Sequence, residues 1–222
     1  MDAMNIPPWL LQRDCDVNTR SLVFRGMLAV GLIVGTFCIA ATNYDGSGAD
    51  SWMSIVMHHI NTPIHEAGHA MTRSFPRLFA SLAGTLAQLA LPLICAMALL
   101  FIGESRNRYG HIIKKTRDPF GASVALWWHF ENWIDCAPYI ADASRGVLPL
   151  IGGGTGQNTY YGFHDWRFIL TELNLLAHDQ SLARAAFTLG LVGMTASLVW
   201  GVIVLWHERQ AMLSERARGG FV

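Results

Sequence analysis

Residues 78–103 read LFASLAGTLAQLALPLICAMALLFIG, an apolar run without a single charged side chain. A helix that crosses a bilayer needs about 20 predominantly apolar residues, so this run is long enough to span a membrane. Pro92 lies within it, and membrane helices tolerate proline where neighbouring groups satisfy the freed carbonyl. The run therefore predicts an integral membrane protein.

The composition of the whole chain points in the same direction. Of its 222 residues, 52% are hydrophobic and 14% are charged, whereas soluble globular proteins contain about 25% charged residues. Sixteen basic residues balance sixteen acidic ones, so the chain lacks the positive field that attracts nucleic-acid phosphates. We expect the lipid bilayer to be a partner and nucleic acid not to be one.

The apolar runs predict an all-α fold, a polytopic membrane helical bundle that forms a single domain over residues 1–222. The third predicted span is the weakest, because His129, Glu131 and Asp135 interrupt its apolar residues. Two amphipathic or partly inserted helices are predicted between the spans, at residues 62–75 and 164–178. The four predicted spans lie near residues 22–42, 78–103, 120–140 and 185–206.

Basic residues orient the predicted spans, because short loops rich in Lys and Arg stay in the cytoplasm. The loop after the second span and both tails are basic, so four crossings place both termini in the cytoplasm. Residues 43–77 and 143–184 then lie on the opposite side, although Arg73 and Arg77 count mildly against this orientation. The expected location is the bacterial inner membrane.

Residues 65–69 read HEAGH, an H-E-x-x-H motif. On a helix, positions i and i+4 share one face, so the imidazoles of His65 and His69 can bind one metal ion. Glu66 lies about a quarter turn away and can reach a water molecule at that ion. The spacing predicts a Zn²⁺ site with Glu66 as the general base.

Thr62 and Pro63 predict where the motif helix begins. Threonine is a common N-cap, and proline is favoured at the first helical position, where its missing N–H costs nothing. His58 and His59 would then precede the helix and lie at the membrane interface.

A catalytic zinc site usually has three protein ligands and one open position, so a third ligand must come from elsewhere in the chain. Asp165 is the favoured candidate, since it follows a glycine-rich loop and begins the second amphipathic segment. His164 and Asp142 are the alternatives. Because neighbouring residues on a helix diverge, only one of His164 and Asp165 is expected to bind the metal, and the other to form a hydrogen bond around it.

The third span carries polar residues that are expected to face the interior of the bundle. Among them, Asn132 is a candidate catalytic residue, because an amide can hold a substrate backbone or polarise a carbonyl group. The alternative is that Asn132 belongs to a polar network that fixes the packing of the helices.

These motifs resemble those of the membrane-embedded zinc metalloproteases of the site-2 protease class. The resemblance rests on HEAGH in a nearly all-apolar chain and on an acidic residue before the last span. It implies zinc held by His65, His69 and a later aspartate, with Glu66 as the base, and cleavage of peptide bonds at or within the membrane. That class has Leu-Asp-Gly where residues 163–166 of this chain read FHDW.

The sequence thus favours a membrane-embedded zinc metallopeptidase that acts on a membrane protein or a peptide. The alternative is a non-catalytic membrane subunit of a larger complex, in which the metal site is structural or vestigial. Metal chemistry other than proteolysis, with iron or copper, is a third reading of the same ligands.

Overall fold

The computed structural model describes residues 7, 10–11, 18–101, 104–106, 109, 112–115, 117–151, 153–158 and 163–219. In these residues the chain folds almost entirely into helices. The helices are α1 (Thr19–Ala40), α2 (Trp52–Met71), α3 (Arg77–Phe101), α4 (Pro119–Ala141), α5 (Asp165–Glu172), a short 3₁₀ helix (Leu176–His178) and α6 (Asp179–Gly219). Two short strands, β1 (Glu104–Arg106) and β2 (Ile112–Lys115), pair in antiparallel fashion after α3.

Three helical segments of the described chain are long and apolar enough to cross a membrane: α1, α3 and residues Leu176–Arg218. This is what an integral membrane protein requires, and these segments correspond to the first, second and fourth predicted spans. The third predicted span is also a helix, α4, but it is not among the three. Its apolar residues are interrupted by the polar side chains of His129, Glu131 and Asp135.

Helix α2 begins well before the predicted start. Ser51 is its N-cap, with a hydroxyl oxygen that accepts a hydrogen bond from the Ser54 backbone N–H. Pro63 lies inside the helix, where Thr62 Oγ1 donates a hydrogen bond to the His58 carbonyl oxygen at 2.6 Å. The predicted start at Thr62 was therefore wrong, because an earlier cap is available and one proline kinks a helix without having to end it.

The second predicted amphipathic helix, at residues 164–178, is divided in two. Helix α5 ends before Asn174, whose φ of 56° is left-handed and turns the chain towards the 3₁₀ helix. His164 is the N-cap of α5, because its ring Nδ1 accepts a hydrogen bond from the Arg167 N–H at 3.2 Å.

The chain divides into two compact units, each assembled from separate stretches of sequence. The first comprises Met1–Val34, Pro92–Trp128 and Met194–Val222, and the second comprises Gly35–Leu91 and His129–Gly193.

The first unit encloses a buried ion triad. The Arg25 guanidinium contacts Glu208 Oε1 at 2.7 Å and Asp118 Oδ2 at 2.9 Å. Its Cζ atom lies 5.3 Å from the centre of the Phe120 ring, and Phe120 packs in a core with Ala29 and Val204. The triad therefore joins residues from α1, α4 and α6, together with the residue that precedes α4.

The second unit holds the H-E-x-x-H motif close to α3. Gly68, within the motif, is buried against Ala83, and a Cβ atom at Gly68 would lie 2.8 Å from the Ala87 Cβ. The absence of a side chain at Gly68 thus lets α2 and α3 approach closely. Elsewhere in this unit, Ile140 of α4 and Leu170 of α5 belong to one apolar core.

Candidate metal centre

Three side chains that can bind metal converge in the second unit. His65 Nε2 and His69 Nε2 lie 3.0 Å apart, and Asp165 Oδ2 lies 3.4 Å from His69 Nε2. Glu66 is near them, since ligand atoms of His65, Glu66 and His69 all lie within 4.8 Å of one another. The structure therefore brings together the motif and the aspartate that the sequence favoured as the third ligand.

The hydrogen bonds of the two imidazoles decide which nitrogen carries the proton. Gln88 Oε1 lies 2.6 Å from His65 Nδ1, and the Ala80 carbonyl oxygen lies 2.8 Å from His69 Nδ1. An oxygen acceptor requires an N–H at Nδ1, so in each neutral ring the lone pair is on Nε2. Histidines that bind metal ions commonly donate their second N–H to an oxygen in this way. Each Nε2 atom can thus bind a metal cation whenever it carries no proton.

A network around Gln88 fixes the orientation of its amide. Gln88 Nε2 donates to Asp135 Oδ2 at 3.4 Å, so its oxygen must face His65. Asp135 also accepts a hydrogen bond from Asn61 Nδ2 at 3.1 Å and pairs with His58 Nδ1 at 2.8 Å. The tautomer of His65 is thereby linked to a chain of buried and half-buried side chains.

The local electrostatics favour positive charge at His69. The hydrogen bond from His69 to Asp165 is the main reason that the pKa of His69 is raised to about 9, although burial acts in the opposite direction. Burial lowers the pKa of His65 and so favours the neutral form of that ring. A carboxylate beside two Nε2 atoms is an arrangement that attracts a metal cation.

Asp165 is held in position by Tyr139. The Tyr139 hydroxyl donates to Asp165 Oδ2 at 3.3 Å and accepts from the Asp165 backbone N–H at 3.0 Å. The Tyr139 ring stacks on His164, with ring centres 4.3 Å apart. His164 instead directs its Nε2 towards Asp142 Oδ2, at 3.3 Å. The structure thus separates Asp165, at the motif, from His164 and Asp142, which pair with each other.

The spacing of these atoms fits a zinc ion. Tetrahedral zinc with bonds of about 2.0–2.1 Å places its ligand atoms about 3.3 Å apart, which is close to the observed separations of 3.0 and 3.4 Å. Gly84 of α3 provides the room, because a Cβ atom there would collide with the Nε2 atoms of both His65 and His69. The residues present therefore fit a zinc ion, which His65, His69 and Asp165 would hold.

The three side chains open onto a cavity of about 870 Å³. Its walls come from the end of α1, the loop between α1 and α2, helices α2, α3 and α4, and the segment before α5, with single residues from α5 and α6. Glu66 lines it and is solvent-exposed, so its carboxylate can reach a molecule within the cavity. A volume of this size is in the range of ligand-binding clefts.

The structure also places Asn132, His58 and His59. Asn132 is fully buried on α4 and is not among the described residues that line the cavity. His58 and His59 lie on the motif helix itself and line the cavity, because α2 begins before them.

Sequence reasoning missed Gln88, Gly84 and Tyr139. A signal for the first two was present, because Ser81, Gly84 and Gln88 follow at helical spacing on one face of an apolar run. Polar residues in a membrane helix rarely face lipid. Nothing in the sequence distinguished Tyr139 from the other aromatic residues.

Comparisons with known proteins assign no family to this arrangement: no protein-family model, curated protein or solved structure matches the chain.

Proposed function

We propose that the protein is a membrane-embedded zinc metallopeptidase that hydrolyses peptide bonds at or within the membrane. The observation that carries this proposal is the pair of Nε2 atoms 3.0 Å apart, each made available by a hydrogen bond at Nδ1, beside the carboxylate of Asp165. His65, His69 and Asp165 would hold the ion and leave a fourth position open, as catalytic zinc sites do.

A zinc ion bound there would supply a Lewis acid that activates water near neutral pH and polarises a carbonyl group. Glu66 is the general base, because its exposed carboxylate faces the cavity beside the two imidazoles. It takes a proton from the attacking water and later delivers it to the nitrogen of the departing amine, so no net proton is consumed at Glu66.

The remaining residues of the site act by position. Gln88 and the Ala80 carbonyl keep both imidazoles in one tautomer, and Tyr139 orients the Asp165 carboxylate. Preorganisation of this kind removes the cost of arranging the groups when substrate binds. The cavity admits a segment of polypeptide from a membrane protein or a peptide, and other membrane subunits are further candidate partners.

The proposal includes a topology. Four crossings, with α4 as the third, put both termini in the cytoplasm of a bacterial inner membrane. Polar residues on α4 would then face protein and not lipid, as Glu131 and Asp135 do through their hydrogen bonds to Asn61. Cysteine labelling of residues in the two tails and in the loop between α3 and α4 tests this orientation.

Metal analysis together with peptidase assays tests the function. The purified protein is expected to contain about one zinc per chain, and His65→Ala and Asp165→Ala are expected to lose it. Glu66→Gln is expected to keep the zinc while turnover of a peptide library falls by about 10²–10⁴-fold, the usual contribution of a general base.

His164→Asn is the matched control for Asp165→Ala, since the two residues are adjacent, only Asp165 faces the motif, and asparagine can still cap α5. It is expected to keep its zinc. A parent protein without zinc would overturn the proposal, as would full activity of Glu66→Gln. Zinc in a closed site of four protein ligands would instead support a structural role in a non-catalytic subunit.

A further inference from the structure

Arg77 is a cation held at the wall of the cavity by aromatic rings. Its Cζ atom lies 4.2 Å from the centre of the Phe163 ring and 4.3 Å from that of the Phe168 ring. Arg77 and Phe163 both line the cavity. Contacts with ring faces fix a guanidinium group through its flat surface, and they leave its N–H donors at the edge for another partner.

No carboxylate of the described residues forms an ion pair with Arg77. The same is true of Arg73, which follows the end of α2 and also lines the cavity. Only three residues separate the two arginines along the chain. One end of the cavity therefore carries two positive charges that no acidic side chain in the described part of the protein neutralises.

The position of Arg77 along α3 relates it to the metal centre. Ala80, which accepts the hydrogen bond from His69, is three residues further on. Gly84, where an added Cβ atom would meet both Nε2 atoms, is seven residues further on. At 1.5 Å per residue, Arg77 and Gly84 are separated by about 10 Å along the helix. An extended peptide covers this distance in about three residues.

The opposite end of the same helix face is acidic. Gln88 is eleven residues after Arg77, about 16 Å along α3, and it contacts Asp135. Asp135 and Glu131 both line the cavity. Asp135 is paired with His58, whereas no carboxylate of the described residues pairs with Arg77, so an anionic group on a substrate is attracted towards the Arg77 end of this helix face.

We propose that Arg77, assisted by Arg73, forms a carboxylate subsite of this cavity. Its ligand is a carboxylate on a peptide, from an Asp or Glu side chain or from a free C-terminus, about three residues from the bond that is cleaved. The inference rests on the proposed peptidase function, because it names the class of substrate for that site. A guanidinium group suits this ligand, since its paired N–H donors match the two oxygens of a carboxylate.

Binding of labelled peptides to the Glu66→Gln variant tests the subsite without turnover. The first probe is an apolar peptide, acetylated and amidated at its ends, with one Glu about three residues from its centre. The second has Gln in place of this Glu and is the neutral probe. The third is the Gln peptide shortened so that it ends in a free C-terminal carboxylate about three residues from the centre. We expect one or both carboxylate probes to bind about tenfold more tightly than the neutral probe. The probe that does so identifies the source of the carboxylate.

Substitutions separate a charge effect from a packing effect. Arg77→Gln is expected to abolish the preference for carboxylate, Arg77→Lys to retain part of it, and Arg77→Glu to favour a probe with Lys in place of Glu. Arg184→Gln is the matched control, because Arg184 lies over the Tyr44 ring at 4.9 Å and is not among the described residues of the cavity wall. It is expected to leave the preference unchanged.

Equal binding of all three probes by the Glu66→Gln variant with both arginines intact would overturn the inference. Equal losses of the carboxylate preference in Arg77→Gln and Arg184→Gln would also overturn it. So would loss of that preference when phosphatidylglycerol is added to the detergent micelles that hold the protein, because this result would assign the arginines to lipid phosphate. A different result is that the protein with Glu66 intact cleaves none of the peptides while the Glu66→Gln variant shows a carboxylate preference that depends on Arg77. This result would support the subsite and reject the peptidase function. Cleavage that depends on Glu66 but is the same with and without a carboxylate on the peptide would support the peptidase function and reject the subsite.

Discussion

Two groups of charged and polar side chains are buried in this apolar chain, and their surroundings differ. In the first unit, the guanidinium of Arg25 is enclosed by Asp118 and Glu208, and the Arg25 and Glu208 side chains are 8% and 2% exposed. The cavity beside Phe120 in that unit is about 10 Å³, barely enough for one water molecule. In the second unit, His65 and His69 open onto a cavity of about 870 Å³.

The difference shows how buried polar groups can serve either packing or chemistry. The Arg25 guanidinium directs its hydrogen bonds inward to Glu208 and Asp118, so the triad links several segments of the chain. The imidazoles of the second unit use Nδ1 for their hydrogen bonds to Gln88 and Ala80, and their Nε2 atoms face each other and Asp165 at the cavity wall. Ionisable residues in an apolar chain are therefore functional candidates only where they keep an accessible atom.

The largest expected effect is at Gly84. Gly84→Ala would put a methyl group against the Nε2 atoms of both His65 and His69, so zinc content is expected to fall to background. Helix content should not change, because alanine is the better helix former. Gly31→Ala is the matched control, since a Cβ atom there meets nothing within 4 Å. Full zinc content in Gly84→Ala would contradict the position assigned to the ion.

A second prediction concerns the Arg25 triad of the first unit. Arg25→Met leaves two carboxylates without their guanidinium partner, and it is expected to lower the free energy of unfolding by about 3–5 kcal/mol. Zinc content should be unaffected, because the triad and the candidate centre belong to different units. Thermal unfolding in detergent, read with metal analysis, measures both.

The combined variant Arg25→Met, Asp118→Asn, Glu208→Gln sharpens this test. It removes the three charges together. The asparagine at position 118 keeps the side-chain oxygen that accepts a hydrogen bond from the Gly121 N–H at the start of α4. Its stability should exceed that of Arg25→Met alone. Equal stabilities would show that the loss comes from packing and not from uncompensated charge.

The smallest effect is expected at Gln88. Gln88→Leu removes the acceptor at His65 Nδ1, so the ring loses its preferred tautomer and zinc affinity should fall by about 10–100-fold. Competition with a zinc-binding dye measures this. Gln180→Leu is the control, because the Gln180 amide binds Tyr44 and the Ala141 carbonyl instead. A similar loss in both variants would remove the proposed role of Gln88.

Much of the helical fold could be predicted from the sequence, because apolar runs of spanning length have few alternatives. The weakest prediction, at residues 120–140, was weak for a physical reason: α4 combines spanning length with the polar residues that contact α2. The start of α2 was missed because local signals at Thr62 and Pro63 competed with a better cap at Ser51, and tertiary packing favoured the longer helix.

At the site, the sequence by itself determined the pair of histidines and Glu66, because an i, i+4 spacing brings two side chains together on any helix. It left the third ligand open among Asp142, His164 and Asp165, since residues distant in sequence meet only through packing. The tertiary structure brought Asp165 to His69, turned His164 towards Asp142, and supplied Gln88 and Gly84 from α3. Those contacts depend on how closely α2 and α3 approach, a distance that no local spacing encodes.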